Sequence, residues 1–184
     1  MLFRSCLVDL GHHLPNTNIE MIVSRLIGLK KLGGFHFNDS KFGDDDLDSG
    51  SINPFELFLI FNELTNANKL GKLNNIAYMI DQSHNVTEPI ESLILSSNEI
   101  INAYAKSLLV DYQSLRDAQN CNDVIKSSQI LKEAYNTDVN PLCQMIRMEK
   151  KHAIDPISVY RSLHYKENKS KIRKNNSGSS SGIV

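Results

Sequence analysis

Carboxylates and imidazoles lie at or after the ends of three short apolar runs in the sequence. They are Asp9 and His12, then His36, Asp44 and Asp46, then Asp81 and His84. Oxygen and nitrogen donors mixed in this way suit a divalent ion such as Mn²⁺, Co²⁺, Mg²⁺ or Zn²⁺, whereas a structural zinc site normally contains cysteine. The three groups together predict a metal centre.

Each group taken alone has a simpler explanation. His36 is typical of a half-buried structural histidine, and the acidic run that begins at Asp44 is typical of a solvated turn. An EF-hand loop is excluded, because the required glycine falls one place late at Gly50 and the twelfth position is Phe55. If the run is extended, Asp44 and Asp46 point to the same side and can reach one cation. Ligand candidates after all three apolar runs favour the metal site.

The apolar runs themselves predict buried parallel strands. They cover residues 6–8, 33–37 and 76–80, and each ends in polar residues. Helical patterns follow the cap candidates Asn18 and Asn53, and another begins near Pro89. Strands that alternate with helices predict an α/β fold of right-handed parallel units, in which the carboxyl ends of the strands carry the active site.

Three regions are predicted along the chain. Residues 1–110 form about three parallel β/α units, residues 111–165 a helical extension, and residues 166–184 a disordered basic and Ser-Gly-rich tail. Three strands cannot close a barrel, so they predict either part of a larger barrel or an independent three-stranded α/β domain.

Composition limits the classes of partner. The chain has 184 residues, 41% of them hydrophobic and 22% charged, and a formal net charge of -1. These values indicate a soluble globular protein and give no reason to expect nucleic acid or a membrane as partner. Cys6, Cys121 and Cys143 show no CxxC spacing, and we interpret them as reduced thiols of a cytoplasmic protein.

Several stretches of the chain resemble L-rhamnose isomerases. They are residues 8–13 (VDLGHH), 34–41 (GFHFNDSK), 43–47 (GDDDL) and 81–85 (DQSHN), and the similarity continues through residues 51–55 and the helical segment to about Tyr165. The resemblance implies the C-terminal part of a (β/α)₈ TIM barrel of the xylose-isomerase type, followed by a helical extension. It further implies two divalent ions, most often Mn²⁺, and the isomerisation of L-rhamnose to L-rhamnulose in carbohydrate catabolism.

The resemblance also implies a role for individual residues. Asp9, His36 and Asp81 match ligands of the structural ion, and His12, Asp44 and Asp46 match ligands of the catalytic ion. Asp81 and His12 are the candidate catalytic residues. His13, Asn38, Lys41 and His84 are candidates for contacts with the sugar or for support of the metal ligands. The extension would contribute to a homo-oligomer, often a tetramer.

The chain departs from that family in one large respect. Family members are about twice as long, and their structural ion takes a further glutamate from a strand that this sequence lacks. We therefore expect an incomplete fragment that is inactive alone. Two alternatives stay open, namely a non-catalytic split half that needs its other half, and a metal-dependent hydrolase on the same type of barrel. The hydrolase would need a basic surface for nucleic acid, and the basic residues cluster only in the tail.

Overall fold

Three parallel strands alternate with helices in the first part of the fold. The computed structural model describes residues 4–73, 75–83 and 86–176. The strands are β1 (Cys6–Asp9), β2 (Leu32–Phe37) and β3 (Ala77–Ile80), and the helices that follow them are α1 (Ile19–Gly28), α2 (Pro54–Lys69) and α3 (Pro89–Leu108). The predicted α/β class is confirmed, and the arrangement is consistent with part of a TIM barrel.

The sheet brings the ends of its strands to one edge. Its order is β1-β2-β3 with both pairs parallel, so β2 is central and β1 and β3 are the outer strands. Asp9 lies beside His36 in the register of β1 and β2. The backbone N–H of Asp81 donates to the carbonyl of Phe37 at 3.1 Å, which continues the pairing of β3 with β2 by one residue. The carboxyl ends of all three strands therefore lie next to one another.

Capping residues fix where the helices between the strands begin. The side chain of Asn18 accepts a hydrogen bond from the N–H of Met21 at the start of α1. Asn53 does the same for Glu56 at the start of α2, where Pro54 is the first helical residue. Both caps confirm the sequence prediction, because a side-chain oxygen at this position satisfies an N–H that has no partner within the helix.

The main core lies between the sheet and its helices. Phe35 and Phe37 of β2 are at most 1% exposed, and they pack in one cluster with Val23 of α1 and with Ile60 and Phe61 of α2. The rings of Phe37 and Phe61 stack with centroids 5.7 Å apart. Burial of each such side chain stabilises the fold by about 1.5–3 kcal/mol. This cluster fixes the position of β2, and therefore the middle of the edge at which the carboxyl ends of the three strands meet.

The remaining secondary-structure elements of the described residues are helices, as the sequence predicts. The helices are α4 (Tyr112–Asn120), α5 (Val124–Asn136), α6 (Asn140–Glu149), α7 (Pro156–Ser162) and α8 (Tyr165–Asn176). Phe58 of α2 forms a second core cluster with Leu115 of α4 and Ala134 of α5. The chain divides into two compact units, residues 1–143 and residues 144–184.

Helix α8 covers the first part of the region predicted to be a disordered tail. It ends at Asn176, and residues 177–184 lie outside the described residues. A helix is possible here because residues 165–176 contain neither glycine nor proline. The disorder of the tail stays a prediction.

Two further observations bear on the composition argument. No helix in the described part of the chain has the length and apolarity that a membrane span requires. Cys6 and Cys121 are exposed, Cys143 is buried, and all three are free thiols.

Candidate metal centre

The candidate ligands come from all three strand ends. Asp9 is the last residue of β1, and His12 ends the short 3₁₀ helix Leu10–His12 that follows it. His36 lies in β2, Asp44 and Asp46 lie in the loop between β2 and α2, and Asp81 comes directly after β3. The fold therefore brings together residues that are up to 72 positions apart in sequence, from Asp9 to Asp81.

Asp9, His36 and Asp81 form a first triad of candidate ligands. Nδ1 of His36 lies 2.9 Å from Oδ2 of Asp9 and 2.9 Å from Oδ2 of Asp81. A ring nitrogen carries at most one hydrogen, so it cannot make a full hydrogen bond to both carboxylates. One nitrogen and two carboxylate oxygens, all within 4.8 Å of one another, are a donor set that fits a divalent cation.

Asp9, His12 and Asp46 form a second triad. Nδ1 of His12 lies 2.8 Å from Oδ1 of Asp9 and 4.0 Å from Oδ1 of Asp46. These atoms also lie within 4.8 Å of one another. Asp9 thus gives one carboxylate oxygen to each triad, a shared role that the sequence does not predict.

Asp44 lies on the other side of the His12 ring. Its Oδ1 is 2.8 Å from Nε2 of His12, whereas Nδ1 of His12 is the nitrogen near Asp9 and Asp46. The two nitrogens of one imidazole face opposite ways, so this geometry does not bring Asp44 and Asp46 around one ion. The side chain of Asp44 is 76% exposed.

The premise that Asp44 and Asp46 follow an extended backbone is wrong. Asp44 has a φ of 64° and Asp46 a φ of 48°, and Gly43 before them has a φ of 95°. These left-handed conformations reverse the direction of the chain, and aspartate tolerates them better than most residues. The loop places the two carboxylates at different nitrogens of His12 for this reason.

The side chain of Asn38 donates hydrogen bonds to carboxylates of both triads. It is only 2% exposed, and its Nδ2 donates to Oδ1 of Asp9 at 2.9 Å and to Oδ1 of Asp46 at 3.0 Å. Its Oδ1 accepts from the backbone N–H of Gly11 at 2.6 Å. Both N–H groups of the amide are therefore engaged within the site. The prediction named Asn38 as a contact to sugar or as support for ligands, and this geometry favours support.

Asp45 and Asp39 stabilise the loop by accepting hydrogen bonds from its backbone, a role that the interpretation as a solvated turn does not include. Oδ2 of Asp45 accepts hydrogen bonds from the backbone N–H groups of Lys41 and Phe42 and from the hydroxyl of Ser40. These bonds lower the pKa of Asp45. Oδ2 of Asp39 accepts from the backbone N–H groups of Ile52 and Asn53, which directly precede α2. An Asp-rich run is a known turn signal, which is the cue that could have predicted this.

The pKa values of Asp9 and His12 are shifted in opposite directions. Burial acts to raise the pKa of Asp9, but hydrogen bonds from His12, Asn38 and His36 outweigh it and hold that pKa below its ordinary value. The hydrogen bond to Asp9 and its negative charge raise the pKa of His12. Asp9 is therefore ionised at neutral pH, and a proton on His12 would compete with a cation at the second triad.

The other proposed sugar contacts are not joined to the triads or lie outside the described residues. His13 is half-buried, and Lys41 is exposed with its Nζ 5.4 Å from the ring centre of Phe42. Among the described residues, no hydrogen bond or ion pair joins the side chain of either to the triads. His84 lies outside the described residues.

Comparison with known proteins agrees with the predicted class of enzyme. No protein-family model matches the chain. The chain is 57% identical over 180 residues to a probable sugar isomerase of Mesorhizobium japonicum and 53% identical over 180 residues to a probable sugar isomerase of Rhizobium meliloti. Both matches cover 97% of this chain and 42% of the relative, so the chain spans less than half the length of these relatives.

Proposed function

We propose that this chain is part of a metal-dependent aldose–ketose isomerase of the L-rhamnose isomerase type, which converts L-rhamnose to L-rhamnulose. The observation that carries the proposal is the pair of histidine–carboxylate triads that share Asp9 at the strand ends. The similarity to two probable sugar isomerases supports the class of reaction. The position of the triads supports it as well, because active sites of β/α folds lie at the carboxyl ends of the strands.

Each triad would hold one divalent ion in this proposal. Asp9, His36 and Asp81 would hold the structural ion, and His12 and Asp46 would hold the catalytic ion together with the second oxygen of Asp9. Oxygen-rich sets with one imidazole suit Mn²⁺, and Co²⁺, Mg²⁺ and Zn²⁺ are alternatives. Asp44 could join the catalytic ion only if it or the His12 ring turned, which its exposed position permits.

The residues of this chain would then share the work of isomerisation. A bound divalent ion supplies a Lewis acid that polarises the sugar carbonyl. Asp81 is 56% exposed, so a sugar could reach this carboxylate. In a proton-transfer scheme Asp81 takes the proton from C2 and returns it to C1, and His12, which is 50% exposed, moves the proton between the two oxygens. In a hydride-shift scheme the hydrogen moves within the sugar from C2 to C1 with its electron pair, so Asp81 only holds and orients the sugar, and His12 still moves the proton from the C2 oxygen to the C1 oxygen.

We also propose that activity needs further protein. β1 and β3 are the outer strands of a parallel sheet, and such sheets are normally covered on both sides and at both edges. The relatives are more than twice as long as the matched segment. The complete enzyme would be a cytoplasmic homo-oligomer, most simply a tetramer, that acts on a small sugar and neither nucleic acid nor a membrane.

Turnover of L-rhamnose tests this proposal. The chain is co-expressed with the part of the Mesorhizobium relative that it does not match, and ketose formation is followed by NMR with added Mn²⁺. We expect turnover by the pair and none by the chain alone. Asp44→Ala with Asp46→Ala should abolish it, whereas Asp117→Ala, which removes an exposed carboxylate on α4, should not. Unaltered turnover in the double variant would remove the assignment of these residues.

A further inference from the structure

A polar network that begins next to the candidate ligand Asp81 joins three separate segments of the chain. Nε2 of Gln82, directly after β3, donates to Oδ1 of Asp48 at 2.8 Å and to Oγ of Ser92 at 2.7 Å. The hydroxyl of Ser92 donates to the same oxygen of Asp48 at 2.5 Å. Asp48 belongs to the loop between β2 and α2, and Ser92 belongs to α3. The side-chain amide of Gln82 thus lies where these segments meet.

The carbonyl end of the same amide completes the network. Oε1 of Gln82 accepts from the hydroxyl of Ser96 at 2.6 Å, and Oγ of Ser96 accepts in turn from the backbone N–H of Ser49 at 3.1 Å. Ser92 and Ser96 are 4% and 0% exposed. Buried polar groups that satisfy one another fix a single arrangement, because any other arrangement leaves one of them without a partner.

This network is adjacent in sequence to one candidate ligand of each triad. Asp81 precedes Gln82, and Asp46 lies two residues before Asp48. The backbone N–H of Ser83 donates to the carbonyl of Asp46 at 2.7 Å, which joins the same two segments a second time. The network therefore determines how far the segment that carries Asp81 lies from the segment that carries Asp46.

We propose that Gln82 is a positioning residue of the metal centre, which through Asp48, Ser92 and Ser96 sets the spacing of the two candidate ion sites. The inference rests on the proposed function, because it presumes that the triads bind divalent ions. Gln82 itself acts on the ligands only through the segments that it joins. It is distinct in this respect from Asn38, which contacts the carboxylates directly.

The test compares Gln82→Met with the wild-type chain in Mn²⁺ titrations followed by EPR. Methionine keeps the length of the side chain but removes the amide. We expect each Mn²⁺ to bind at least about tenfold more weakly, the loss expected when a residue that orients ligands is removed. We also expect the line broadening between two bound Mn²⁺ ions to change, because their separation changes. Amide hydrogen exchange in residues 44–49 should become faster.

Ser107→Ala is the matched control. Ser107 lies on the same helix as Ser96, is equally buried at 0% exposure, and makes a 2.6 Å hydrogen bond to Thr65 of α2. This variant should lose stability but keep the Mn²⁺ affinities and the EPR line shape. Ser96→Ala, which removes only one partner of Gln82, carries the test if Gln82→Met does not fold.

The outcomes separate the two proposals. Weaker Mn²⁺ binding and altered broadening in Gln82→Met but not in Ser107→Ala support the positioning role. If the wild-type chain and a folded Gln82→Met variant bind Mn²⁺ with equal affinities, the positioning role is overturned and the proposed metal centre stands. Equal losses in Gln82→Met and Ser107→Ala overturn it too. A wild-type chain without any Mn²⁺ binding overturns both proposals.

Discussion

Replacing Asn38 by leucine removes the side chain that supports both triads. The neutral bond from Gly11 is worth about 1 kcal/mol and each of the two bonds to carboxylates about 1.5 kcal/mol. The two methyl groups of leucine, which replace the amide oxygen and nitrogen, offset part of that loss by apolar burial. We therefore expect Asn38→Leu to lower the free energy of unfolding by about 2–3 kcal/mol, a fall in Tm of roughly 5–10 °C for a unit of this size.

Thermal unfolding by circular dichroism, at pH 7 with EDTA, measures this loss. Asn62→Leu is the matched control, because Asn62 is also buried, at 5% exposure, yet its Oδ1 has no hydrogen-bond partner in the described part of the chain. Its replacement should cost less than about 1 kcal/mol, as only the 3.3 Å contact to Glu63 is lost. Equal Tm values for Asn38→Leu and wild type would refute the view that Asn38 organises the site.

Two further predictions concern the sheet and pH. Gly34→Ala should prevent folding or lower the free energy of unfolding by at least about 2 kcal/mol, because the new Cβ would lie 2.9 Å from the backbone oxygen of Ala77 in the adjacent strand. Circular dichroism of the purified chain measures this loss. A Tm equal to that of the wild type would contradict the prediction. Burial raises the pKa of Glu99, so the folded state loses stability as the pH rises from the ordinary carboxyl value through the raised one. Glu99→Gln should therefore raise the Tm at pH 7 but not at pH 4. Glu133→Gln, at an exposed position, should leave the Tm unchanged at both pH values. A lower Tm for Glu99→Gln at pH 7 would show instead that the charge of Glu99 is stabilising.

The strands and helix starts were predictable because short-range physics determines them. The apolar runs that form β1, β2 and β3 stop at turn residues, and Asn18 and Asn53 supply caps that act over three residues. The nearness of Asp9 to His36 also followed, since parallel strands align their carboxyl ends.

The loop between β2 and α2 could not be predicted in the same way. Its path depends on left-handed backbone at Asp44 and Asp46 and on side-chain bonds to the backbone from Asp39 and Asp45. Several aspartates in one run offer many such turns, and only packing against the rest of the chain selects one of them. The shared role of Asp9 escaped prediction for a related reason, because it depends on where His12 and His36 lie in space.

Binding of Mn²⁺ to the isolated chain tests the central claim most directly. Titration calorimetry and EPR on the wild type should show two sites with affinities weaker than micromolar, because each triad offers only three ligand atoms of the protein. Asp9→Asn should remove both sites, whereas Asp81→Asn should remove one and Asp46→Asn the other, since only Asp9 contributes to both triads. Unchanged Mn²⁺ binding in Asp9→Asn, or no binding by the wild type at millimolar Mn²⁺, would contradict the claim that these triads form a metal centre.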